Sequence, residues 1–159
     1  MRSVNLADAI GFAIELEKSG KKFYGRCREN ARRDDVRQIF AFLEREEEQH
    51  IALFERMLAT ARKRGAGELS KDHVSALLEA YANSFFKGEE EAEEKVASVM
   101  DPVEAITLGL NIEKDAVHYY KRLKKVVPEE HRDTMDRIID SEKGHRGKFE
   151  QMRERLRHA

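Results

Sequence analysis

The sequence predicts an all-α protein, a bundle of four long helices, and three observations point to this class. Only 9 of 159 residues are glycine and 2 are proline, whereas 38% are charged, which is typical of long helices with short connections. Apolar residues recur every three or four positions, as on the buried face of an amphipathic helix. Two stretches, 5–64 and 102–157, repeat one pattern. We therefore expect two duplicated helical hairpins within one domain spanning 1–159.

The overall composition argues against several classes of function. A net charge of −1 gives no electrostatic attraction to nucleic acid or to an anionic membrane. The single cysteine, Cys27, can form neither an intrachain disulfide nor a cysteine-based metal site. No apolar run reaches membrane-spanning length, and the acidic residues Asp8, Glu15 and Glu17 do not fit a signal peptide. We expect a soluble cytoplasmic protein that binds neither nucleic acid nor membranes.

The first hairpin opens with a recognisable helix start. Asn5 is a candidate N-cap, and Asp8, three residues on, forms a partial capping box with it. The apolar pattern of this helix continues to about Asn30. A second helix is predicted over about 35–64, where Gly65 provides the stop signal.

The connection between the hairpins, residues 65–101, is long enough to carry a helix of its own. Ser70 is the candidate N-cap, and Lys87 with Gly88 ends the apolar pattern that follows. The acidic run at 89–94 is predicted to be a solvated helix face. We therefore expect a long crossover with an added helix.

The second hairpin also has clear boundaries. Asp101 is a candidate N-cap, followed by Pro102 in the first turn and by Glu104. Pro128 ends this third long helix, because proline cannot continue a helix interior. The last helix is expected to run to about Arg157.

Four carboxylates and two imidazoles interrupt the apolar stripes at equivalent positions of the two hairpins. The second helix of each hairpin contains Glu-x-x-His, a spacing that puts both side chains on one helix face. The first helix of each hairpin contributes one further Glu. About fifteen residues up one helix and fifteen down the next return the chain to the same height, so all six groups can meet at one level. These six are Glu17, Glu47, His50, Glu113, Glu142 and His145.

Four carboxylates in a bundle core need positive charge, since burying unpaired ions costs several kcal/mol each. None of the four stripes supplies an inward Lys or Arg. Two divalent cations would balance the charge, and one Glu from each of two helices plus Glu-x-x-His from the other two is a di-metal carboxylate pattern. Oxygen-rich ligation with one imidazole per metal favours iron or manganese over structural zinc. The alternative is a set of hydrogen-bonded core carboxylates or of exposed polar residues.

These motifs resemble the rubrerythrin and ferritin-like di-iron superfamily, over both hairpins. The resemblance implies a ferritin-like fold that binds two iron ions, with manganese or a mixed pair as alternatives. It also implies oxidoreductase chemistry with hydrogen peroxide or dioxygen, as a peroxidase or ferroxidase. The implied ligands are Glu17 and His50 for one metal, Glu113 and His145 for the other, and Glu47 and Glu142 as bridges.

Several departures from the family pattern refine this hypothesis. Rubrerythrins carry an extra Glu where this chain has Ala116, and the cysteine pairs of a rubredoxin domain are missing. Electrons would therefore come from an external donor, such as a rubredoxin-like protein. Bacterioferritins place a haem-ligating Met where this chain has Glu48, so no haem is expected.

Two other functions stay open at this stage. One is iron storage or buffering, with ferrous iron as substrate, and the other is a metal-free helical interaction module. Phe12 and Ile14 are apolar residues predicted to point outward, which suggests a homodimer. Tyr24 and Tyr120, two turns beyond the lone glutamates, are predicted to be packing residues.

Overall fold

The computed structural model describes residues 3–84, 88–99 and 101–158. Within these residues the fold is all-α, as predicted, and the only β pairing is an isolated bridge between Asn5 and Glu68. A short 3-10 helix lies at Glu129–His131. The α-helices are α1 (Leu6–Asn30), α2 (Asp34–Lys63), α3 (Lys71–Ala82), α4 (Glu89–Ala97), α5 (Pro102–Lys124) and α6 (Arg132–Arg157).

The helix ends form where local capping chemistry predicts them. The Asn5 side chain accepts a hydrogen bond from the Asp8 N–H (2.9 Å), and the Asp8 carboxylate accepts one from the Asn5 N–H (3.1 Å). At α5, the Asp101 carboxylate accepts from the Glu104 N–H at 2.8 Å. Gly65 follows α2 with a φ of 74°, the left-handed conformation that glycine adopts most easily.

The four long helices form the bundle, with α1 against α2, α5 against α6, and α1 against α5. Two apolar clusters fill its interior. One contains Phe54 and Tyr120, and the other contains Phe40 and Phe149. The buried polar residues lie between these clusters, which exclude water from above and below.

The crossover contains two helices rather than the single helix predicted. α3 packs on α5 and α4 packs on α1, so both lie on the same side of the bundle. Ser19, buried in α1, donates its hydroxyl to the Glu15 carbonyl (2.8 Å) and accepts a hydrogen bond from the Gly88 N–H (2.9 Å). Gly88 begins α4 with a φ of 127°. The stop signal expected at Lys87 lies outside the described residues.

The surface is largely polar, and one expectation about it is wrong. Ile14 is buried rather than outward-facing, and Phe12 stacks on Tyr81 of α3 with ring centroids 4.7 Å apart. Phe12, one of the two positions that had suggested a homodimer, is therefore partly covered by α3 of the crossover. Of the large hydrophobic side chains in the described residues, only Leu78 is exposed. No helix in these ranges is long and apolar enough to cross a membrane.

Candidate metal centre

All six predicted site residues converge at one level of the bundle. Each is at most 5% exposed, although each carries a carboxylate or an imidazole. They form two overlapping groups, and within each group one ligand atom from every residue lies within 4.8 Å of the others. The first group is Glu17, Glu47, His50 and Glu142, and the second is Glu47, Glu113, Glu142 and His145.

The two groups are related by the duplication of the hairpin. His50 Nδ1 lies 3.4 Å from an oxygen of Glu17, and His145 Nδ1 lies 3.3 Å from the matching oxygen of Glu113. Each imidazole is thus paired with the lone glutamate of its own hairpin. Glu47 and Glu142 belong to both groups, which places their carboxylates between the two.

Each of the six residues has one buried donor atom without a hydrogen-bond partner among the described residues: Glu17 Oε2, Glu47 Oε1, His50 Nδ1, Glu113 Oε2, Glu142 Oε1 and His145 Nδ1. His50 Nδ1 lies 2.7 Å from Glu142 Oε1, yet the two atoms form no hydrogen bond. No Lys or Arg is buried in the described part of the chain. Four carboxylate oxygens and two imidazole nitrogens thus lie together without hydrogen-bond partners and without a buried cationic side chain among the described residues. This arrangement fits a binding site for metal cations.

The charges in this cluster shift the pKa values of its members. Burial, together with the nearby Glu17 and Glu113, raises the pKa of Glu47 well above its ordinary value. Burial also raises the pKa of Glu113. Burial alone would raise the pKa of Glu17, but its contacts with Glu47, His50 and Tyr120 outweigh that effect and lower it. Protons and cations therefore compete for the same carboxylate oxygens of this cluster.

Two tyrosines connect the hairpins through the lone glutamates. The Tyr24 hydroxyl of α1 donates to Glu113 Oε1 at 2.7 Å, and the Tyr120 hydroxyl of α5 donates to Glu17 Oε1 at 2.6 Å. Burial raises the pKa of both tyrosines well above the ordinary value, so both stay protonated donors. Each hydrogen bond holds Oε1 of a glutamate, and Oε2 of the same glutamate has no hydrogen-bond partner among the described residues.

The same tyrosines also pack as the sequence predicted. Tyr24 lies 5.7 Å from Phe149 and Tyr120 lies 5.1 Å from Phe54, measured between ring centroids. Their contacts with Glu113 and Glu17 were not predicted. The equal spacing from each lone glutamate to its tyrosine was a signal for them, but reading it required the antiparallel arrangement of α1 and α5.

His145 has polar and aromatic neighbours in addition to the members of the cluster. His145 Nε2 lies 3.3 Å from the Ser141 hydroxyl and 3.8 Å from a carboxylate oxygen of Glu46. The His145 ring also meets Phe42 edge to face, with centroids 6.0 Å apart. These neighbours hold the imidazole in place, as the outer partners of metal-binding histidines commonly do.

The donor set fits a pair of transition-metal ions. Each group offers three carboxylates and one imidazole, the combination that suits iron or manganese, and it contains no thiolate. Glu17 with His50 would hold one ion, Glu113 with His145 the other, and Glu47 and Glu142 would lie between them. Two divalent ions would match the charge of four carboxylates.

Comparisons with known proteins agree with this architecture. A family model described as rubrerythrin matches residues 8–153. Among solved structures, the chain is similar to a Thermotoga maritima protein described as ferritin-like and diiron-carboxylate. The TM-score is 0.76 with 22% sequence identity, and the match covers 97% of each chain. At this identity the likeness concerns the fold alone. No curated protein matches the sequence.

Proposed function

The chain belongs to the rubrerythrin family, and on that premise we propose that it is a di-iron oxidoreductase that reacts with hydrogen peroxide or dioxygen. The observation that carries the proposal is the buried layer of six unpaired carboxylate and imidazole donors. Such a layer would destabilise a bundle that served only as a scaffold. Iron rather than manganese is part of the proposal.

The chemistry that a di-iron pair supplies when bound is two-electron transfer. A bound ferrous pair would supply two electrons, one from each iron, and with two protons these would reduce hydrogen peroxide to two waters or dioxygen to hydrogen peroxide. Reduction back to the ferrous state needs an external donor, since the chain contains Cys27 alone and so has no cysteine pairs for an iron–sulfur or rubredoxin site. A small one-electron carrier protein is the class of donor we propose.

The residues of this chain have three tasks in that reaction. The four glutamates and two histidines provide a rigid donor set on helices rather than on loops. Tyr24 and Tyr120 orient Glu113 and Glu17 through hydrogen bonds. The apolar clusters around Phe54 and Phe149 exclude water, which would otherwise screen the charges of the site.

Metal analysis combined with rapid mixing tests this proposal. Protein purified without added metal should contain iron, and full loading should reach two ions per chain. The ferrous protein should then be oxidised rapidly in a stopped-flow instrument. A faster reaction with peroxide than with dioxygen indicates a peroxidase, and the reverse indicates a ferroxidase. The variant Glu47→Gln/Glu142→Gln should lose both metal and reaction, whereas Glu48→Gln, one residue away and exposed, should lose neither.

Other outcomes would support the competing functions. Gel filtration showing a large multi-subunit shell that accumulates many iron ions per chain would indicate storage. An interaction module would be indicated if the protein bound no metal even with excess metal added and if Glu47→Ala/Glu142→Ala left its stability unchanged. Homodimer formation stays a prediction, which the same gel filtration run measures.

A further inference from the structure

A groove between α3, α5 and α6 concentrates positive charge on one side of the bundle. Its volume is about 940 Å³. Six of the side chains that line it are Lys or Arg and two are Asp, so their formal charge is +4, whereas the whole chain carries −1. We call it the basic groove, and its six cationic residues are Lys121, Arg122, Lys124, Lys125, Arg132 and Lys143.

Most of these cations are not neutralised by acidic side chains of the chain itself. Lys124 forms an ion pair with Asp136 at 2.5 Å, and Arg122 donates to the His118 carbonyl at 2.8 Å. The other four form no ion pair within the described part of the chain, and all four are exposed. They are therefore available to a negatively charged partner.

A second charged groove, between α1, α2 and α4, shows the opposite arrangement. Four Lys or Arg side chains and five Glu side chains line it. There Lys21 pairs with Glu48, and Arg26 pairs with Glu29 at 2.9 Å. Unpaired positive charge is thus a property of the basic groove and not of charged grooves on this surface in general.

The basic groove lies on helices that hold the candidate metal centre. Lys143 directly follows Glu142 in α6, and Lys121 directly follows Tyr120 in α5. The Tyr120 hydroxyl donates to Glu17 Oε1 at 2.6 Å. A molecule bound in the groove therefore contacts the same two helices that supply three of the six donor residues.

The lining favours an acidic protein surface over other polyanions. None of the described residues that line the groove is Phe, Tyr or Trp, on which the bases of a single-stranded nucleic acid would stack. A concave surface between three helices does not match a flat lipid bilayer. Asp136 and Asp140 would repel a continuous row of phosphates, whereas a protein surface can offer them cations of its own.

We propose that the basic groove is the docking surface for the electron donor, and that this donor is a small protein with an acidic surface around its redox group. The inference rests on the proposed function, since it names a partner of that same site. Each reduced carrier gives up one electron when bound, so two carriers in turn return two ferric ions to the ferrous state. The opposite charges mainly raise the rate of association.

Titration with an oxidised, acidic plant-type ferredoxin tests the surface itself. Binding at about 20 mM salt should be at least tenfold tighter than at about 300 mM. Lys121→Glu/Lys125→Glu should weaken it by about tenfold or more. Arg153→Glu/Arg157→Glu is the matched control, because it makes the same change in charge at the same spacing, roughly 30 Å along α6 from Arg132. Binding that is insensitive to salt, or equal in the two variants, would overturn the proposal.

Stopped-flow reduction of the ferric-loaded protein tests the role of the groove in electron transfer. With reduced ferredoxin, Lys121→Glu/Lys125→Glu should be reduced about tenfold more slowly than the unmodified protein, and the control variant at an unchanged rate. Reduced methyl viologen is a small cation that does not need the groove, so it should reduce both variants no more slowly than the unmodified protein. Slower reduction by both reagents would mean that the substitutions damage the metal centre, and would contradict the docking role.

The binding titration separates failure of the docking surface from failure of the proposed function. If the ferrous protein reacts with neither oxidant, the oxidoreductase function is wrong, yet the salt dependence and the Lys121→Glu/Lys125→Glu variant still decide whether the groove binds an acidic protein. Oligothymidylate and vesicles containing phosphatidylserine are the competing ligands. If either binds as tightly as ferredoxin, with the same loss in this variant, the acidic carrier is the wrong partner.

Discussion

The two hairpins have the same residue types at the candidate metal ligands but different small residues around them. Around the lone glutamate the small residues are exchanged: Ala13 and Gly20 flank Glu17, whereas Gly109 and Ala116 flank Glu113 at the same two spacings. A methyl group at Gly109 would lie 2.7 Å from the Phe149 ring, whereas one at Gly20 would approach Glu47 at 3.3 Å. The packing around the small residues therefore differs between the hairpins, whereas both contribute the same types of metal-ligand residue at the same spacings. What the two halves share is the set of buried carboxylates and imidazoles.

The largest expected effect comes from removing the proposed metal ions, because residues of both hairpins would bind them. At free metal about a thousandfold above the dissociation constant, each site should stabilise the fold by about 4 kcal/mol. For a domain of this size that corresponds to roughly 2–4 °C of Tm per kcal/mol. Calorimetry of loaded and chelator-treated protein measures the difference. Glu47→Ala/Glu142→Ala should abolish it and Glu48→Gln should keep it, and equal Tm values with and without metal would contradict the prediction.

Tyr24 and Tyr120, each bonded to the lone glutamate of the other hairpin, should contribute equally to stability. Tyr24→Phe and Tyr120→Phe each remove a hydrogen bond to a buried carboxylate, a change that costs about 1.5–3 kcal/mol. Urea unfolding of the metal-free variants should give similar losses for the two. Metal titration should show weaker binding at one of the two sites in each variant. A large loss in one variant and none in the other would mean that the hairpins are not equivalent at this layer.

The exchanged glycine should break the equivalence. Gly109→Ala should destabilise the protein by about 1–3 kcal/mol through overpacking against Phe149, partly offset by the gain in helix propensity. Gly147→Ala in α6 is the control, because no atom lies within 4 Å of its new methyl group and only the propensity gain is left. Thermal unfolding of the two variants tests this. A Gly109→Ala protein as stable as Gly147→Ala would contradict the close contact.

The smallest effect concerns pH, because the shifts in the cluster partly cancel. The raised pKa values of Glu47, Glu113 and His50 stabilise the metal-free fold at low pH, and this contribution is lost as pH rises through those values. The lowered pKa of Glu17 instead stabilises the fold above its unfolded-state pKa, and this contribution is lost as pH falls through the folded-state value. Metal-free protein should therefore lose stability as pH rises through neutral. Glu113→Gln should flatten this loss because it removes one of the raised groups, and Glu17→Gln should flatten it because Glu17 raises the pKa of Glu47 and His50. The exposed Glu48→Gln should not, as urea unfolding across pH would establish.

The helix ends and the donor layer could be predicted because both depend on short-range spacing. Asn5 with Asp8, and Asp101 with Pro102, define helix starts through contacts within one turn. The donors could be placed because helix geometry converts sequence separation into height. The structure brings all six together, although metal binding itself stays a proposal.

The features that could not be predicted depend on which helices become neighbours. Phe12 reads as an outward residue until Tyr81 of α3 stacks on it, and the Tyr24 contact with Glu113 exists only across two antiparallel helices. Spacing along one helix contains no information about the partner that lies opposite.

The hydrogen bond between Ser19 and Gly88 has a consequence for how the chain folds. Loop-closure entropy rises with the logarithm of loop length, and the crossover is the longest connection in the bundle. Docking Gly88 on α1 divides this connection into two shorter loops, each closed at a smaller entropic cost. Once Gly88 is bound to Ser19, the loop that must close when the second hairpin packs on the first is shorter than the whole crossover.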